Sequence, residues 1–101
     1  MTILNEREKA LEAEFKNREE QAFRRTVRRN HQFGLWAAER LGLEGEAAEA
    51  YAKTVVAADF EAPGDDDVIA KVLADFKAKG AAGGEAELRA ALTRADAELR
   101  A

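Results

Sequence analysis

Apolar residues recur along this chain at the spacing of α-helices, and the pattern changes character after the first twenty residues. Residues 1–20 carry only a thin apolar stripe of Leu4, Leu11 and Phe15, spaced seven and then four residues apart on one helical face. Most of the remaining positions in this stretch are charged. Four broader amphipathic stretches follow, and they predict helices at about 19–41, 45–61, 66–79 and 85–100.

Glycine, proline and aspartate mark the ends of these predicted helices. Pro63 ends one of them because proline cannot continue a helix, and Asp65–Asp67 are expected to cap the next by accepting from free backbone N–H groups. Gly80–Gly84 is predicted to be a linker. Gly34 lies inside a helix, where it costs about 1 kcal/mol relative to alanine, and we expect it to allow close approach of another helix.

The pattern predicts an all-α fold, a four-helix bundle over residues 19–101 with residues 1–18 as a helical or disordered N-terminal extension. Many apolar residues are alanine, so the core should be slim and leave little room for a deep pocket. The side chains expected to face this core in the first two bundle helices are Phe23, Val27, Asn30, Gly34, Ala37 or Ala38, and Leu41, followed by Ala48, Tyr51, Ala52, Val55, Val56 and Phe60.

The charge balance argues against general nucleic-acid binding. The net charge is −4, yet residues 24–40 carry five arginines against one acid, while residues 42–101 carry thirteen acids against seven bases. No apolar run approaches the roughly 18 residues of a membrane span, and the charged N-terminus lacks the apolar core of a signal peptide. We therefore expect a cytoplasmic protein without membrane insertion.

Catalytic and metal-binding chemistry is poorly supported. The chain has no serine and no cysteine, which removes two common nucleophiles and all thiolate metal ligands. His31 is the only histidine and is expected to be structural or on the surface. The Asp65–Asp67 run lacks the ligand spacing of a calcium loop. We expect no enzyme activity, no metal and no resident cofactor.

Four arginines form a basic flank on the predicted first bundle helix. Arg24, Arg25, Arg28 and Arg29 span an arc of about 140° on a helix. One interpretation is a solvated face that pairs with the acidic helices that follow. The other is a docking patch for an acidic protein surface or for weak binding of an adenine nucleotide, which would make the chain a nucleotide-sensing or adaptor module.

The N-terminal stripe also has two interpretations. Leu4, Leu11 and Phe15 either pack back on the bundle or enter a groove on a partner, as amphipathic helices do. The residues alone do not decide between these alternatives.

A family resemblance adds to this picture. The residues that carry this resemblance are Arg7-Glu8-Lys9-Ala10 with Phe15, then Glu19-Glu20 and Phe23, then Arg28-Arg29-Asn30 and Gly34-Leu35-Trp36-Ala37-Ala38, and the block from Arg28 to Ala37 is the specific part. Through them the chain resembles the zeta subunit of α-proteobacterial F-type ATP synthases, a family formerly catalogued as a domain of unknown function. The resemblance extends over the whole chain.

This resemblance implies a regulatory inhibitor subunit of ATP synthase. Residues 1–18 would form the inhibitory segment, which inserts at a catalytic subunit interface of the enzyme head near the rotor stalk and blocks ATP hydrolysis. The chain would be monomeric when free and peripheral to the inner membrane when bound. The residues implied to contact the partner are Ile3, Leu4, Asn5, Arg7, Glu8, Lys9, Leu11, Glu12 and Phe15.

Overall fold

The computed structural model describes the backbone of residues 2–100 and the side chains of residues 18–99. It contains four α-helices: α1 (Thr2–Arg40), α2 (Gly45–Glu61), α3 (Asp65–Lys79) and α4 (Glu85–Arg100). The predicted all-α class is confirmed. The stretches predicted as an extension and as the first bundle helix form one continuous helix, α1.

The four helices form a bundle in which α1 packs mainly against α2 and α4, and α3 packs against α2 and α4. The loops between the helices are short, so consecutive helices run in opposite directions. Gly80 ends α3 in the left-handed conformation with φ of 71°, which glycine adopts without steric cost.

The core is slim, as predicted. Its large, fully buried side chains come from all four helices, and Trp36 stacks between two of them, 5.9 Å from Phe33 and 6.3 Å from Phe76 between ring centroids. Alanines fill the remaining contacts between helices. The buried core consists of Phe33, Ala37, Leu41, Val55, Val68, Ile69, Val72, Phe76, Leu88, Ala91, Leu92 and Ala95.

A polar contact joins α2 to α3 at the edge of this core. The Tyr51 hydroxyl donates to Asp75 Oδ2 at 2.8 Å, and Lys71 donates to the same carboxylate oxygen at 2.6 Å. Burial, followed by the hydrogen bond and charge of Asp75, raises the pKa of Tyr51. Tyr51 therefore remains a neutral donor in the folded protein well above the pH at which a free tyrosine ionises.

Candidate partner-binding surfaces

The N-terminal part of α1 extends beyond the rest of the bundle. Antiparallel packing brings Phe60, in the last turn of α2, against Phe23 of α1, and Leu99 near the end of α4 lines a groove with Gln21. The other helices therefore end level with about residues 21–23 of α1. Residues 2–20 continue as helix for roughly 28 Å at 1.5 Å per residue.

The nine residues implied to contact the partner all belong to this projecting part of α1. Their side chains lie outside the described residues, so their predicted contacts stay predictions. A continuous helix from Thr2 to Arg40 does not turn back along the bundle.

Two arginines of the basic flank pair with acidic residues of other helices, as the solvated-face interpretation predicted. Arg29 donates to Asp65 Oδ1 at the start of α3, at 2.8 Å, and also to the buried Asn30 side chain at 3.1 Å. Arg25 Nε lies 3.4 Å from Asp96 Oδ1 of α4. These two arginines hold α1 against α3 and α4.

The other two arginines of the flank remain available. Arg24 and Arg28 are exposed, and neither forms an ion pair with any residue whose side chain is described. Together with Arg25 they line a shallow groove of about 300 Å³ between α1 and the end of α4. None of the described side chains that line this groove is aromatic, so they offer positive charge without a stacking surface.

The prediction that Phe23 and Phe60 face the core is wrong. Phe23 is 53% exposed and Phe60 is 57% exposed, because both lie at the end of the bundle where no further helix covers them. Their rings pack on each other instead, with centroids 5.3 Å apart at an angle of 55°. Nothing in the helical periodicity distinguishes these two positions from buried ones.

An apolar groove of about 340 Å³ adjoins this aromatic pair. Val27, Val56 and Leu99 line it, and Arg28 and Lys53 stand beside them. The periodicity placed both valines inward but did not indicate a groove. The structure thus brings an exposed apolar surface and free cationic side chains together on one end of the bundle.

The remaining candidates have structural explanations. His31 pairs with Glu49 of α2 at 2.8 Å on the surface, as expected. The predicted cap at Asp65–Asp67 is wrong in its detail: the N-cap of α3 is Gly64, and no side-chain hydrogen bond caps it. Asp65 and Asp66 accept from arginines of other helices instead, the second from Arg89 at 2.8 Å.

Within the part of the chain that the structure describes, no group of three or more His, Cys, Asp or Glu side chains is placed to hold a metal ion. The helices there also include none with the length and apolar character needed to cross a membrane.

Residues 1–101 match the family described as ATPase inhibitor subunit zeta. The chain belongs to this family. Membership identifies it as a regulatory protein of the ATPase inhibitor type and confirms the resemblance to the zeta subunit.

A solved structure is also similar to this member of the zeta family. It is a solution NMR structure of a protein that is 46% identical, with coverage of 77% of this chain and 93% of that chain and a TM-score of 0.63. The identity and the coverage support the same helical fold. A comparison with curated proteins gave no match.

Proposed function

We propose that the projecting part of α1 is the inhibitory element of this subunit. It enters a catalytic interface of the ATP synthase head, near the rotor stalk, and blocks the conformational step that ATP hydrolysis requires. The observation that supports this most directly is geometric. Residues 2–20 continue α1 by roughly 28 Å past the ends of the other helices, as a helix with one thin apolar stripe.

The chemistry of this segment suits a helix that binds in a groove. Leu4, Leu11 and Phe15 supply apolar anchorage on one face, and the charged residues around them set the register in the partner. No chemical step occurs on the subunit itself. An isolated helix of about this length is only marginally stable in water, so binding stabilises it and the interaction can be regulated. The bound complex would be cytoplasmic and peripheral to the inner membrane.

The test is a titration against ATP hydrolysis by the cognate ATP synthase. Full-length protein and a variant that lacks residues 1–18 are compared, after circular dichroism has verified that the shortened variant is helical and unfolds cooperatively. Inhibition by the full-length protein alone is the expected result. Equal inhibition by both would remove the segment from the mechanism and direct attention to the bundle.

Nucleotide sensing at the basic flank is a second candidate. Arg24 and Arg28 favour it, since both are exposed and unpaired among the described side chains. None of the described side chains that line their groove is aromatic, which makes the adenine ring a poor fit. Amide chemical shifts of residues 23–40 that do not respond to millimolar ATP or ADP would exclude this candidate.

A further inference from the structure

The bundle has an aromatic patch beside the point where α1 projects. We define this patch as Phe23 and Val27 of α1 with Val56 and Phe60 of α2. Within each helix the two members are four residues apart and so share a face, and the phenylalanine rings join the helices. Among the described residues, Phe23 and Phe60 are the two large hydrophobic side chains that are exposed. Exposed apolar surface of this kind marks interaction sites.

Positive charge borders the patch along one side. Arg28 and Lys53 flank the apolar groove that begins at the two valines, and Arg24 lies one turn before Arg28. His31, at the far end of the groove, is already engaged by Glu49. A complementary partner therefore has an apolar centre with acidic side chains on the edge that meets these cations.

The position of the patch indicates which partner this is. Phe15, in the proposed inhibitory element, and Phe23 lie on the same helix, eight residues or about 12 Å apart along its axis. A partner that encloses the helix as far as Phe15 has its outer surface close to Phe23. The patch is thus continuous with the proposed interface.

We propose that the aromatic patch is a second contact with the ATP synthase head, docking on an apolar, acidic-edged surface at the mouth of the interface that receives the N-terminal segment. This inference rests on the proposed function. α1 joins the two contacts rigidly, and this raises the affinity by effective concentration, since binding of the segment presents the patch to its site. The bundle then contributes to inhibition through its own contact with the enzyme, in addition to carrying the N-terminal segment.

Phe60→Ser tests the proposal because Phe60 lies on α2, outside the inhibitory helix, and is already exposed. The full-length variant is titrated against ATP hydrolysis by the cognate synthase. We expect the concentration for half-inhibition to rise at least about tenfold, as for a central apolar contact. The matched control is Ala50→Ser, which introduces the same residue at an exposed position of the same helix outside the patch, and it should change that concentration less than about twofold.

A charge variant provides a second measurement that does not depend on removing a ring. Lys53→Glu, on the border of the patch, should weaken inhibition several-fold at low salt, and the difference from the native protein should shrink as the salt concentration rises. An effect of Lys53→Glu that is absent or independent of salt would contradict the acidic edge of the partner surface.

Failure of this inference and failure of the proposed function have different signatures. If the variant that lacks residues 1–18 inhibits as well as the native protein, the proposed function is wrong. If that variant loses inhibition and Phe60→Ser keeps it in full, the patch is not a contact with the enzyme. Sedimentation completes the test: a native dimer that Phe60→Ser converts to monomer, with inhibition unchanged, would assign the patch to a second copy of this chain and overturn the proposal.

Discussion

Gly34 of α1 packs directly against Ala52 of α2, so closely that a Cβ atom on residue 34 would lie 2.7 Å from the Cα of Ala52. This contact is to backbone, which cannot rotate away. The close approach predicted from the glycine inside a helix is confirmed. The missing side chain at residue 34 is what allows the two helices to lie so near each other.

We expect Gly34→Ala to destabilise the bundle by about 1–3 kcal/mol through overpacking, even though alanine is the better helix former by about 1 kcal/mol. Urea unfolding followed by circular dichroism measures the change. Gly84→Ala is the steric control, because no atom beyond its chain neighbours lies within 4 Å of a Cβ built there. Gly84 precedes α4 and accepts from Leu88 N, so the loss of glycine at this N-cap position should cost only about 0.5 kcal/mol. A stabilised Gly34→Ala variant would show that α1 and α2 can separate at little cost.

The arginines of the basic flank should differ in how much they contribute to the free energy of unfolding. The Arg29 side chain is only 15% exposed and holds both Asp65 and Asn30. The amide nitrogen of Asn30 already lacks a partner, so Arg29→Met leaves the whole buried amide unpaired and should cost about 1–3 kcal/mol. Arg24→Met, on the exposed side, should change the free energy of unfolding by less than about 0.5 kcal/mol. Equal effects in urea unfolding would refute this division.

Tyr51 should make the stability sensitive to alkaline pH. Its pKa is raised in the folded protein, so the folded state retains the phenolic proton more firmly than the unfolded chain does. The stabilisation is complete below the unfolded pKa of about 10 and is lost as the pH rises above it toward the folded value, because the unfolded chain ionises first.

The measurement is urea unfolding across this alkaline range, for the native protein and for Tyr51→Phe. The variant lacks the ionising group but shares every lysine, so its stability should fall less steeply with pH. Tyr51 is the only tyrosine, and near-ultraviolet absorbance therefore reports its ionisation directly. A folded protein in which Tyr51 titrates near pH 10 would contradict the protection described here.

Helicity of the projecting segment should control inhibition in a graded way. Ala13→Gly costs a helix about 1 kcal/mol and Ala13→Pro about 3 kcal/mol or more. We expect half-inhibition of ATP hydrolysis to need several-fold more of the glycine variant and upwards of about 100-fold more of the proline variant. The thermal unfolding of the bundle should be the same in both, since residue 13 lies in the part of α1 that projects beyond the other three helices. Equal potency of the three proteins would mean that the segment binds in a non-helical form.

The helices and most of the core could be predicted from the sequence because their signals are local. Pro63 and Gly80 end helices through their own backbone chemistry, and the buried side chains follow the helical period. The exposed Phe23 and Phe60 could not be predicted in this way. A period gives the direction of a side chain around its helix, but burial also depends on how far the neighbouring helices extend along it.

The capping role assigned to Asp65 failed for a related reason. Its partner Arg29 lies 36 residues away in the sequence, so the competition between that arginine and the local backbone N–H groups exists only in the folded bundle. The candidate site depends both on local sequence signals and on contacts that exist only in the folded bundle. The projecting segment could be recognised from its sequence, while the aromatic patch beside it required the structure.

Because α1 is one uninterrupted helix, it fixes both the distance and the rotation angle between the projecting segment and the bundle. Each residue of a helix contributes both 1.5 Å of length and about 100° of rotation. One residue added between Glu14 and Gln21 would hardly alter how far the segment reaches, yet it would swing the bundle more than a quarter turn about the helix axis. If the segment and the aromatic patch bind as proposed, the length of this stretch is constrained mainly by the direction in which Phe23 and Phe60 must face.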